Sequence, residues 1–68
     1  MTFSCSLASR MKNRCETNYF LAKKLGVSQS TVANWLNGQT KPRLRHIGLI
    51  AEHYGVSVDE IRKEIDGG

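Results

Sequence analysis

The chain has 68 residues, about half of an ordinary domain, so it can build one small core and no large substrate cavity. With 40% hydrophobic and 24% charged residues, six Gly and one Pro, its composition is that of a globular protein, which excludes the disordered, collagenous and membrane-embedded classes. The net charge is +4, but it is unevenly placed: residues 1–45 hold eight basic side chains and a single acid, Glu16, whereas the last 23 residues are net acidic.

That segregation predicts an electropositive face suited to a polyanion, with the acidic end turned away from it. No apolar stretch approaches the roughly 20 residues of a membrane span, and residues 1–14 lack the apolar run of a signal peptide, so a cytoplasmic chain with no membrane contact is expected. Cys5 and Cys15 allow only one disulfide, and reduced thiols are expected. Together with His46 and His53 they could supply four metal ligands, but their spacings match neither the close cysteine pair nor the close helical histidine pair of zinc fingers. No metal, other cofactor or small-molecule ligand is expected. No third group orients Cys15 toward a histidine as a nucleophile, and neither an acid/base pair nor a phosphate loop is present, so the chain does not read as an enzyme.

Five short helices and no strand are predicted. The first runs from about Leu7 to Cys15, with Leu7, Met11 and Cys15 forming an apolar stripe at helical spacing. The second starts after Thr17, a good N-cap, places Leu21, Ala22 and Leu25 inward, and stops at Gly26. Ser28 caps a third helix that ends near Leu36, and Val27 and Val32 have the spacing of a hydrophobic staple. Val32, Trp35 and Leu36 face inward, leaving Gln29, Ser30, Ala33, Asn34 and Asn37 on an uncharged outer side. Past Asn37-Gly38 and the loop Gln39 to Arg43, a fourth helix covers about Leu44 to Tyr54, with Ile47, Ile50, Ala51 and Tyr54 inward and Gly55 at its end. The fifth begins at the capping box Ser57-x-x-Glu60, with Val56 and Ile61 as a second staple and Ile65 further along the same face.

Helices two and three, joined by three residues that include Gly26, read as a helix-turn-helix whose second helix enters the major groove of DNA. Small Ala22 lets the helices approach, while Val32 and Trp35 anchor the second one. Core packing rather than base stacking is the expected role of Trp35. Major-groove reading needs side chains that both donate and accept, and Gln or Asn can bond adenine N6 and N7 together. Gln29 and Asn34 are therefore the expected chief base readers, with Ser30 between them and Ala33 placed to meet a thymine methyl. Thr31 is assigned either to this face or to stabilising its own helix. Phosphates are expected at the start of helix two, where the helix dipole and Asn18 attract anions. Arg10 and Arg14 either extend the positive field or are simply solvated.

The stretch from Thr17 to Gly38, followed by Lys41-Pro42 and then by Ile50-Ala51 and Gly55-Val56-Ser57, resembles the DNA-binding domains of lambdoid phage repressors and Cro-type proteins, the Xre-type helix-turn-helix family. The resemblance covers about residues 7–65. It implies an all-α, compact five-helix lambda-repressor-like domain occupying residues 1–68, with its core at about 7–65. It also implies phosphate contacts from Ser28 and from Asn37, Gln39, Thr40, Lys41 and Arg43, which position the protein without specifying sequence. The chain departs from the family pattern at Asn18, where Gln is frequent, and at Arg43, where Ser or Thr is frequent.

These readings predict a sequence-specific regulator of double-stranded DNA, a bacterial or phage repressor in the nucleoid, acting on a pseudo-palindromic operator as a homodimer. If the 68 residues are the whole protein, the dimer forms through helix five and the end of helix four. The trailing Asp66-Gly67-Gly68 suits either a free end or a join to a longer repressor. The alternative is a protein-interaction module, an antitoxin or adaptor, which uses the same fold without reading DNA and has no salt-dependent DNA affinity.

Overall fold

A computed structural model describes residues 2–67, so Met1 and Gly68, the limits of the expected domain, lie outside the described residues. Five helices follow one another: α1 Phe3–Asn13, α2 Asn18–Leu25, α3 Gln29–Leu36, α4 Leu44–Tyr54 and α5 Val58–Gly67. No strand occurs among the described residues. The fold is all-α with five helices, as expected.

Local signals set the starts. The hydroxyls of Thr17, Ser28 and Ser57 accept from the backbone N–H of Phe20, Thr31 and Glu60, each at 3.1 Å, satisfying donors that a helix leaves unpaired in its first turn. Thr2 does the same for α1, taking the Cys5 N–H at 3.3 Å. The expectation that the first helix starts near Leu7 is corrected by this cap, which places the start one turn earlier. The apolar stripe is accordingly Phe3, Leu7 and Met11, all buried, and the core begins at Phe3 rather than at residue 7.

The ends of α1, α2, α3 and α4 share one device. The N–H of Glu16, Val27, Gln39 and Val56 returns to Met11, Ala22, Asn34 and Ala51 carbonyls at 2.9 Å in each case, wrapping the chain back over the last turn. This closure needs a left-handed residue just before the returning N–H, and Gly26, Gly38 and Gly55 supply it at φ 73°, 75° and 68°. At α1 the residue is Cys15, at φ 56°. It therefore lies beyond the helix and is exposed, and its expected place in the apolar stripe is corrected.

One core holds the five helices together. Leu7, Leu21, Val32, Ile50 and Ile61, one from each helix, are fully buried, and Trp35 is 2% exposed. Val27 and Val56, the outer residues of the two expected staples, are half-buried and pack against the core that contains Val32 and Ile61. Helix α2 lies against α3 and α4, while α1 bridges α3 and α5.

Candidate nucleic-acid interface

The α2–turn–α3 unit is held by its apolar side. Ala22 is 3% exposed, a small residue buried where α2 meets α3. Trp35 is buried in the core, which fixes its role as an anchor, and its carbonyl accepts a 2.8 Å bond from Ser4 Oγ of α1. With Val32 and Trp35 fixed inward, the helical period turns the opposite side of α3 outward. Gln29 and Ser30 are exposed and Ala33 and Asn34 half-buried along that side, with Asn37 exposed at its end. No residue of α3 is charged. The face thus offers amide donors and acceptors, a hydroxyl and a methyl group.

Two of the expected polar residues of α3 are committed to the helix itself. Ser28 Oγ receives the Thr31 N–H, and the two hydroxyls bond each other at 2.9 Å. The hydroxyl of Thr31 thus stabilises its own helix, the second of the two roles weighed for it. At the other end Gln39 and Thr40 fold back on the Asn34 carbonyl, which brings the loop beside the end of α3. Asn37, Gln39, Thr40, Lys41 and Arg43 are all exposed there, and Asn18 stands half-buried at the start of α2.

The loop runs into α4 along a groove of about 510 Å³ lined by Thr31, Trp35, Thr40, Lys41, Arg43, Arg45 and His46. Arg45 and His46 were absent from the sequence-derived set, although the run Arg43-Leu-Arg45-His46 was its visible signal. The His46 imidazole lies 5.6 Å from the Trp35 ring, and burial, reinforced by Arg45 and Arg43, holds its pKa below the ordinary histidine value.

Arg10 of α1 and Arg14 just past its end do not join this surface as free charges. Arg10 forms a bidentate pair with Glu64 of α5 at 2.7 and 2.9 Å, which holds its pKa above the ordinary arginine value. Arg14 donates to the His53 carbonyl at 2.8 Å and lies over the Tyr54 ring at 5.1 Å. The ion pairs among the described residues use neither Lys41 nor Arg43 nor Arg45, whose charges remain available to an anion.

A structure with this turn, this uncharged outward helix face and these flanking cations is a helix-turn-helix module. The helix-turn-helix family model matches residues 17–61, and the chain belongs to that family, in its Xre and lambda Cro-like branch. No curated protein sequence matches the chain. Among solved structures, that of a transcriptional regulator from Listeria innocua is similar, with a TM-score of 0.83 and 30% identity over 88% of this chain. The match covers 56% of that regulator, so this chain spans little more than half its length.

Proposed function

We propose that the protein is a sequence-specific, double-stranded DNA-binding transcriptional regulator, a bacterial or phage repressor that inserts α3 into the major groove of a pseudo-palindromic operator as a homodimer. The observation that carries this reading is the outward side of α3, polar but uncharged, bordered by the cations Lys41 and Arg43. Base edges are read by hydrogen-bonding groups, while phosphates are met by charge, and the surface separates the two chemistries in that way. The family membership and the Listeria regulator support it.

In this reading Gln29 and Asn34 bond base edges, Ser30 adds a hydroxyl, and Ala33 meets a thymine methyl. Asn18, Ser28, Asn37, Gln39, Thr40, Lys41 and Arg43 hold the two flanking backbones. Because the Ser28 hydroxyl already caps α3, its share comes through the main chain.

Binding measured on a selected operator and on an unrelated duplex tests these roles. Gln29→Ala or Asn34→Ala lowers operator affinity by about 1–3 kcal/mol and leaves binding to the unrelated duplex nearly intact. Lys41→Ala or Arg43→Ala weakens both and reduces the salt slope by about one. Equal losses on both duplexes from the α3 variants would contradict base reading.

A further inference from the structure

The elbow between α2 and α3 carries a feature that the base-reading face and the α3–α4 loop leave unused. Tyr19 is 57% exposed, the most exposed aromatic among the described residues. Lys23 stands one turn further along α2 on the same side, its Nζ 5.9 Å from the centre of the Tyr19 ring. Together with Ala22 they form one wall of a groove of about 350 Å³, and Val27, Ser28 and Gln29 form the other. The groove therefore runs beside the first base-reading side chain of α3. Lys23 takes no part in the ion pairs among the described residues.

We propose that Tyr19 and Lys23 form a backbone clamp, in which the Tyr19 hydroxyl and the Lys23 ammonium hold one phosphodiester beside the base pair that Gln29 reads. The inference rests on the DNA-binding reading above and extends it to two residues outside the set named there. The chemistry matches on both sides. A phosphodiester linkage presents an anionic oxygen next to an apolar sugar, and the clamp presents a hydroxyl and an ammonium next to an aromatic face. A large ring left in water loses the gain of burial, whereas an aromatic body with a polar tip suits an interface that is partly wet. Lys23 lies within cation–π range of the ring, which holds the ring in place while leaving the ammonium protons to bond outward. One positive charge and a hydroxyl donor beside an aromatic face match the anionic oxygen of a phosphodiester and the sugar next to it. Tyr19 and Lys23 are thus positioning residues: they set the register in which Gln29 meets its base.

The test compares the native chain with Lys23→Gln and Tyr19→Phe on a selected operator and on an unrelated duplex at two salt concentrations. Each variant is expected to lose about three- to tenfold in affinity on both duplexes, the size of one charge-assisted hydrogen bond, with the operator preference unchanged. Lys23→Gln should also reduce the salt slope by about one, which a merely structural role would not do. Because both side chains are exposed, thermal unfolding should stay where it is in the native chain. An operator with a neutral methylphosphonate at the contacted linkage should cost the native chain more affinity than it costs Lys23→Gln, which keeps only the Tyr19 hydroxyl on that phosphate. Unchanged affinity and slope in both variants would overturn the clamp while leaving the DNA-binding reading standing. So would a loss confined to the operator, which would make Tyr19 a base contact. Failure of the native chain to bind any duplex at low salt would overturn both.

Discussion

Glu16, the only acid in the basic first two-thirds of the chain, is a carboxylate with 5% of its side chain exposed, and its partners explain why it can be buried. His53 Nε2 lies 2.7 Å from one oxygen, and the Tyr54 hydroxyl donates to the other. Burial, then the bond to Glu16, holds the Tyr54 pKa well above the ordinary phenol value, so it remains a donor at any pH of interest. The cluster pins the connection between α1 and α2 to the end of α4. None of this is legible in the sequence, because Glu16 meets partners 37 and 38 positions away and no periodic pattern links them. A second histidine gives a pH prediction. The pKa of His46 is lowered in the fold, so as pH falls through the ordinary histidine range the unfolded chain takes up the proton first. Proton uptake by the unfolded state favours unfolding, and His46 therefore contributes a loss of stability on acidification. Denaturant titrations between pH 7.5 and 5 should show a smaller loss for His46→Gln than for the native chain. Identical pH profiles would contradict the assignment.

Among the helices, the limits of α2, α3 and α4 were legible in the sequence because their signals sit next to them. Thr17 and Gly26 bracket α2, Ser28 starts α3, and Gly55 closes α4. The first helix misled for a physical reason: Leu7, Met11 and Cys15 keep helical spacing, yet the stripe that packs is Phe3, Leu7 and Met11, and the end is set by a bond that forces Cys15 to positive φ. A side chain in that conformation costs about 1–2 kcal/mol, partly offset in glycine by the greater entropy of its unfolded state. Cys15→Gly is therefore expected to stabilise the chain by about 0.5–1 kcal/mol with unchanged helicity, as measured by urea unfolding followed by circular dichroism. A destabilised variant would mean that the left-handed residue is not where the strain lies. The outward side of α3 was legible for the same local reason as its limits, since Val32 and Trp35 fix which side is hidden. The cations of the α3–α4 groove were only half legible. Lys41 and Arg43 lie in the loop that the family pattern marks, whereas Arg45 and His46 reach the groove only because α4 packs beside α3's end.

At the scale of the molecule, not all of the positive excess of residues 1–45 is free to meet an anion. Arg10 and Arg14 are spent on α5 and on the end of α4, tying the first helix to the last two. Lys23, Lys41, Arg43 and Arg45 remain exposed near α3, so the field that meets an anion is narrower than the count of basic residues implies. The principal extents are 27 × 24 × 23 Å, less than the roughly 34 Å between successive major-groove faces on one side of DNA. One copy can therefore fill one groove, and an operator read over two turns requires two. No helix among the described residues is long and apolar enough to cross a membrane.

Selection of binding sites from a randomised duplex library at two salt concentrations tests the central claim most directly. The account predicts recovery of an inverted repeat with half-sites about one helical turn apart, retained at the higher salt, in which Gln29→Ala relaxes the preference at one or two base pairs. Recovery of no motif, with weak binding lost at moderate salt, would contradict it and favour a protein partner for the same surface.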